Sequence, residues 1–154
     1  MADLENMLIL ETTKGEVKIE LKPELAPNHV ARIKELAREG FYDGVVFHRV
    51  IDGFMAQCGC PQGTGMGGSD KPDLVQEFNP EPHVRGTCSM ARTNQPDSAN
   101  SQFFICFKPS GFLDRQYTVW GQVTEGMDFI DQLKRGEPVS NPDSIISMKV
   151  AADV

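Results

Sequence analysis

Residues 45–68 read VVFHRVIDGFMAQCGCPQGTGMGG, and the fold follows from how they are read. The first seven form an apolar strand of β-branched and aromatic residues, broken by His48 and Arg49. Asp52-Gly53 turns the chain, a second strand starts at Phe54, and from residue 59 the stretch dissolves into glycine. That composition fits a pleated, half-buried surface. Arg49 is the anomaly within it. A guanidinium has five donors that need carboxylates, amides or water, and burying it unpaired is costly. A structural arginine here would snorkel to solvent or close an ion pair. Beside an apolar pocket it would instead be a charged donor aimed at a guest.

Working towards the N-terminus, residues 7–11 form a short apolar strand and 12–15 a turn. Residues 16–21 alternate, with Val17, Ile19 and Leu21 on one face and Glu16, Lys18 and Glu20 on the other, which is a hairpin with one wet face. Pro27 suits the first position of a helix. Val30, Ile33, Leu36 and Ala37 recur behind it at helical spacing, and Gly40 is the stop signal.

Towards the C-terminus, residues 59–73 form a long loop. Gly63-x-Gly65-x-x-Gly68 matches the dinucleotide fingerprint only formally, because Ser69-Asp70-Lys71-Pro72 opens no helix. Strands follow at 86–92 and 102–107, separated by the turn-rich 93–101. The second of these, QFFICF, reads as a buried strand with two faces: Phe103, Ile105 and Phe107 on one, Gln102, Phe104 and Cys106 on the other. A loop at 108–116 carries Phe112 and Leu113, a strand spans 117–123, a second helix 126–135, and a last strand 144–151.

Eight strands that do not alternate with helices argue against a doubly wound parallel sheet. The pattern predicts a mainly β fold: a closed eight-stranded antiparallel β-barrel, which removes its own edges, with an α-helix capping each end. One domain covers 1–154, with residues 1–6 expected as a disordered chain end.

The 154 residues carry 15 Lys+Arg against 22 Asp+Glu, a net charge of −7. An acidic chain without a basic cluster argues against nucleic acid as a partner. No apolar run approaches the ~20 residues of a membrane span, and MADLENMLILETTKG lacks the start of a secretion signal. The expected location is the cytoplasm. Cys58 and Cys60 are spaced C-x-C, Cys88 and Cys106 lie inside apolar strands, and His29, His48 and His83 stand at no zinc-ligand spacing. Structural thiols are the expectation, with no metal. A redox or zinc protein using Cys58 and Cys60 is the competing reading.

No nucleophile–base pairing stands out in the sequence. What it offers is one embedded arginine, glutamines in apolar strands (Gln57 and Gln102), and Phe54, Met55, Phe104, Phe112 and Leu113. A charged donor beside such a set suits a neutral, compact, ring-shaped guest.

FHRVIDGFMAQCG, SMARTNQPDSANSQFFI and FLDRQYTVWG, in that order, resemble the three signature blocks of the cyclophilins, peptidyl-prolyl cis-trans isomerases. The resemblance covers nearly the whole chain and is closest to bacterial cytoplasmic members. It implies the eight-stranded barrel with two helices, and isomerisation of Xaa-Pro bonds without cofactor, metal or covalent intermediate. The first block implies Arg49 as the catalytic arginine, Phe54 and Met55 as pocket walls, and Gln57 as its polar neighbour. The second places Ala91, Arg92 and Thr93 along a peptide groove, with Gln102 and Phe104 in the pocket. The third gives Phe112, Leu113 and Tyr117. Phe112 stands where the eukaryotic pattern has tryptophan, and Tyr117 where it has histidine, so a cyclosporin-type cyclic peptide is expected to bind weakly. The implied partners are proline-containing peptides and unfolded or nascent polypeptides, met by a monomer, with no membrane partner. A non-enzymatic binder of proline-containing segments would use the same cup but would not need Arg49 and Gln57.

Overall fold

In the computed structural model, which describes residues 4–154, eight strands form one sheet. They are β1 (Met7–Thr12), β2 (Gly15–Leu21), β3 (Arg49–Ile51), β4 (Met55–Cys58), β5 (Thr87–Met90), β6 (Phe103–Cys106), β7 (Val119–Glu125) and β8 (Ile145–Val150). Their spatial order is β3-β4-β6-β5-β7-β2-β1-β8, every neighbouring pair antiparallel. Helix α1 (Pro27–Arg38) and the short α2 (Met127–Asp131) complete the fold.

The expected closed barrel is corrected to a curled half-barrel with two ends, β3 and β8. Among the described residues the contacts across the gap are isolated ones: a bridge between Val46 and Ser144, with Gly44 N–H donating to Ile145 O at 2.7 Å, Phe47 N–H to Asp143 O at 2.9 Å and Ile145 N–H to Val45 O at 2.8 Å. The reason lies in residues 45–51, expected to be one strand. Only Arg49–Ile51 pair as strand β3. The preceding apolar residues Val45 and Phe47 are buried as a covering segment, so no continuous ladder reaches β8.

Helix α1 begins at Pro27, and its apolar residues Val30, Ile33, Leu36 and Ala37 are buried. Its end is a Schellman motif: Gly40 N–H donates to Ala37 O at 3.1 Å and Phe41 N–H to Leu36 O at 3.0 Å, with Gly40 at φ +74°. The second helix is shorter than expected. Arg135 folds back and its Nη1 donates to the carbonyls of Asp131 and Leu133 at 2.8 and 2.6 Å, satisfying carbonyls that a longer helix would have used. Of the residues expected as a chain end, Leu4–Asn6 form a 3-10 turn, and residues 1–3 lie outside the described residues.

The core divides in two. The larger cluster fills the concave side of the sheet with residues such as Leu8, Ile19, Ile33, Phe103, Ile105 and Trp120. A smaller one, Met55, Phe104, Cys106 and Leu113, lies on the other face of β4 and β6, with Ile51, Phe54, Ala91 and Tyr117 packed against it. Strand period two produces this split, since successive side chains on β6 point to opposite faces.

Candidate active site

Register assembles the site. Arg49 on β3 stands opposite Gln57 on β4, Gln57 opposite Phe104 on β6, and Phe104 opposite Ser89 on β5. Directly opposed residues share a face, so one cross-strand row carries a guanidinium, an amide and an aromatic ring. The adjacent row on that face is Ile51, Met55 and Cys106.

Above these rows lies a cavity of about 130 Å³, lined by Arg49, Phe54, Met55, Gln57, Ala91, Arg92, Phe104, Leu113 and Tyr117. Its floor is apolar and largely buried, while Arg49 stays 38% exposed at its edge. The Phe104 and Tyr117 rings meet edge-on at 5.6 Å. Thr93 and Gln102 instead line a neighbouring, more polar cavity of about 360 Å³, which shares Gln57, Ala91 and Arg92 with the first.

Of the residues expected in the cup, Phe112 stands apart from the others in this structure. It is 73% exposed, lies outside the lining, and packs on the Phe54 ring at 5.6 Å. The cause is the 3-10 turn Gly111–Leu113: with about three residues per turn, Leu113 facing inward directs its neighbour Phe112 out.

A hydrogen-bond relay crosses the site. Arg49 Nη1 donates to Gln57 Oε1 at 3.1 Å, and Gln57 Nε2 donates to Gln102 Oε1 at 2.9 Å. Gln102 Nε2 then donates to the carbonyls of Gly65 and Gly67 at 3.0 and 2.8 Å. The loop 59–73 is held from the other side by Asn100, whose Oδ1 accepts from Ser69 N–H at 2.9 Å while its Nδ2 donates to Lys71 O at 2.9 Å. Arg92 has its side chain committed: Nε and Nη2 donate to Gln116 O, and its guanidinium lies 4.7 Å from the Tyr117 ring centre. Its main chain is not committed. Among the described residues the Arg92 N–H and C=O have no hydrogen-bond partner.

Sequence reasoning missed two features. One is Glu137, whose Oε2 accepts from Arg49 Nε–H at 2.6 Å across 88 residues of sequence. The other is a Ser–His–Asp line behind the cup. His83 Nδ1 lies 3.0 Å from Asp114 Oδ1, and His83 Nε2 lies 2.9 Å from Ser89 Oγ. The His83 ring stacks on Phe104 with centroids 6.1 Å apart. This line has the arrangement of a nucleophilic triad, but Ser89 and His83 are fully buried, and the Ser89 hydroxyl also reaches the Thr118 carbonyl at 3.0 Å. It braces the wall. Burial lowers the His83 pKa despite the Asp114 carboxylate, and the His83 backbone N–H chiefly lowers that of Asp114. Spacing could not reveal either feature; the one available signal was that Arg49 needs an acceptor.

All four cysteines are free and buried. Burial raises the thiols of Cys58, Cys88 and Cys106. For Cys60 burial works the same way, but donors in the glycine loop, Gly67 N–H first, outweigh it and bring the thiol down to about 7. Among the described residues no group of three or more His, Cys, Asp or Glu could hold a metal ion, and no helix is long and apolar enough to cross a membrane.

With this geometry in hand, similarity to known proteins becomes specific. Residues 7–150 match the family model of cyclophilin type peptidyl-prolyl cis-trans isomerase/CLD. A probable peptidyl-prolyl cis-trans isomerase of Brucella suis is 52% identical, over 99% of this chain and 86% of its own. Peptidyl-prolyl cis-trans isomerase B of Bacillus subtilis is 46% identical, over 80% of this chain and 86% of its own. The crystal structure of cyclophilin AquaCyp293 from Hirschia baltica superposes with a TM-score of 0.92 at 37% identity, covering 99% of this chain and 76% of that one. A cyclophilin type peptidyl-prolyl cis-trans isomerase of Cryptosporidium parvum, crystallised in the presence of the dipeptide ala-pro, gives 0.87 at 26% identity, covering 94% and 98%. The chain belongs to the cyclophilin-type peptidyl-prolyl cis-trans isomerases. Its relatives include bacterial members of that family, and its activity class is isomerase.

Proposed function

We propose that this isomerase seats the proline ring of an Xaa-Pro segment in the cup of Phe54, Met55, Phe104 and Leu113, while Arg49 donates to the prolyl nitrogen. The observation that carries the reading is that Arg49 and these four residues line one cavity. Its volume of about 130 Å³ is close to the ~150 Å³ of a dry engineered cavity that holds one benzene ring. As the amide twists, the prolyl nitrogen loses conjugation and becomes an acceptor, and a guanidinium beside it stabilises that state more than the planar one.

Magnitudes divide the work. Amide resonance sets a rotation barrier of about 18–20 kcal/mol. Shortening a prolyl exchange of ~100 s to ~1 ms takes about 7 kcal/mol, at ~1.4 per decade. One charged hydrogen bond contributes only about 1.5–3 kcal/mol. Arg49 therefore acts together with the apolar cup, which excludes water, strengthens the field of the guanidinium and holds the twisted amide in place. No covalent bond to the enzyme is made in this reading, and the step as written calls on neither cofactor nor metal.

The unpaired main chain of Arg92 would pair with the substrate as an added strand along Ala91, Arg92 and Thr93. Gln102 sits beyond the cup in the polar cavity and steadies Gln57 and the glycine loop. Clients in this reading are proline-containing segments of unfolded or nascent polypeptides, met in the cytoplasm by a monomer. Four unpaired cysteines fit a reducing compartment. Cyclosporin-type cyclic peptides are expected to bind weakly, because Phe112 offers less area than an indole and no N–H.

The test is cis–trans exchange on a short Xaa-Pro peptide, followed by NMR. Arg49→Ala is expected to lose most of the acceleration with an unchanged far-UV spectrum. Full activity in that variant refutes the assignment.

A further inference from the structure

Arg49 is gripped on two of its nitrogens. Nε–H donates to Glu137 Oε2 at 2.6 Å and Nη1 donates to Gln57 Oε1 at 3.1 Å, while among the described residues Nη2 has no protein acceptor. Glu137 reaches this place by a local stitch between the segment after α2 and the edge of β3. Gly136 exchanges both backbone hydrogen bonds with Val50, each 2.8 Å, and Val139 N–H donates to His48 O at 3.0 Å. A Cβ on Gly136 would stand 2.7 Å from Val139 Cα and 2.8 Å from Pro138 O, so only glycine lets the chain turn there.

We infer that Glu137 is a positioning residue of the isomerase, whose carboxylate holds Arg49 so that the unclaimed Nη2 serves the cup. The inference rests on the reading of Arg49 as the donor to the prolyl nitrogen. An arginine on a sheet edge samples many rotamers, and one acceptor still leaves the guanidinium free to swing. Acceptors on two different nitrogens fix its plane as well as its position. The opposite effect of a neighbouring carboxylate is to damp the field of the guanidinium at the substrate. Both partners are open to water, at 38% for Arg49 and 58% for Glu137, so solvent screens that damping along with the attraction. What the carboxylate contributes is direction: a second acceptor favours the orientation in which Nε–H points at Glu137 and so narrows the rotamers open to the guanidinium. On the far side the Gln57–Gln102 relay runs to the glycine loop, so the cation is clamped between an anion and a chain of amides.

The experiment compares Glu137→Ala and Glu137→Gln in the full chain, on one Xaa-Pro peptide, with Arg49→Ala as the reference. Glu137→Ala is expected to lower kcat about fivefold to tenfold with KM nearly unchanged. That lies between the few-fold loss from an exposed ion pair and the ~10²-fold loss from a misplaced catalytic group. Glu137→Gln, whose amide oxygen still accepts from Nε–H, is expected to restore most of kcat. In an Arg49→Ala background Glu137→Ala adds no further loss. The Arg49 Nε–H resonance in ¹⁵N NMR supplies a readout that does not depend on turnover: slow solvent exchange in the parent protein and in Glu137→Gln, fast exchange in Glu137→Ala. An unchanged or raised kcat in Glu137→Ala, while Arg49→Ala loses turnover, overturns this inference alone. A loss that glutamine does not relieve, or that follows a fall in unfolding temperature, marks a structural role and overturns it too. A fully active Arg49→Ala removes the underlying reading and the inference with it.

Discussion

Phe103 and Phe104 are neighbours in the chain but belong to different parts of the molecule. Phe103 sits in the main core, edge-on to Tyr42 and Trp120 at 5.5 and 5.3 Å, paired in register with Cys58 and Met90. Phe104 lies on the other face, in register with Gln57 and Ser89, backed by His83 and opening on the cup. Both are buried and both are phenylalanine, so composition does not separate them. What separates them is the two-residue period of β6 read against the curvature of the sheet. One face is closed over by helices and covering segments; the other carries only a small cluster with a hole in it. A single strand thus faces the main core on one side and lines the proposed proline cup on the other.

Truncating each ring tests that division. Phe103→Ala is expected to cost about 3–5 kcal/mol of stability, the range for a fully buried aromatic side chain. The kcat/KM of the molecules that remain folded should stay close to that of the parent. Phe104→Ala should cost less stability, because its cluster is small and borders a cavity, but should raise KM for a proline peptide roughly tenfold, about 1.4 kcal/mol of lost contact. Denaturant unfolding and steady-state exchange measured on the same preparations decide it. If Phe103→Ala lost binding as severely as Phe104→Ala, the two faces would not be independent.

The polar edge of the cup should respond next, with an effect on turnover rather than on stability. Arg49→Ala removes a charged hydrogen bond, and a loss of about 1.5–3 kcal/mol corresponds to roughly a 10- to 150-fold drop in kcat/KM. Its unfolding midpoint should move little, since the exposed pair with Glu137 contributes little to folding.

The same contrast shows what could be read before the fold was known. Alternation in QFFICF separates Phe103, Ile105 and Phe107 from Phe104 and Cys106, and the structure keeps that division. The stop at Gly40 and the count of eight strands were legible for the same reason: turn chemistry and periodicity are local. Arg49 was legible as an anomaly, although its partner was not. Nothing in the spacing ties residue 49 to residue 137, because their meeting depends on how the segment after α2 stitches to β3. Closure of the sheet was misjudged on similar grounds. The apolar run 45–51 reads as one strand, yet whether its first half pairs or merely covers depends on what lies across the gap. The orientation of Phe112 was hidden by a turn: a 3-10 geometry directs adjacent residues apart, and the apolar pair Phe112-Leu113 does not say which one faces in.

Acid should weaken both faces together. His29, His48 and His83 all have pKa values below the ordinary 6.5, each first because of burial. Carboxylates oppose the shift at His29 and His83, through Glu77 and Asp114, while the Arg49 charge adds to it at His48. A histidine depressed in the folded state takes up its proton more readily when unfolded. Its stabilising contribution is therefore complete above pH 6.5 and is lost as pH falls from there towards the folded-state value. Each such group steepens the loss by up to about 1.4 kcal/mol per pH unit. The unfolding temperature should drop clearly between pH 7.5 and 5.5, before the carboxylates begin to titrate; an equal Tm at the two values would contradict the burial assigned to these rings.

The smallest effect is expected where the resemblance and the geometry disagree. Phe112 occupies a position that the signature block marks as a pocket residue, yet its ring stands 73% exposed and touches Phe54 from outside. Removing it takes away one side of the Phe54 packing and little else, since Leu113 supplies the inward wall of that turn. Phe112→Ala should therefore change kcat/KM on a short proline peptide by no more than about threefold and stability by under ~1 kcal/mol, as for a mostly exposed side chain. A tenfold loss on a tetrapeptide would mean that the ring folds over the bound proline during turnover, so that the cup in use is larger than the one defined by Phe54, Met55, Phe104 and Leu113. The size of this one change thus measures how much of the pocket is built before the peptide arrives and how much the peptide gathers around itself.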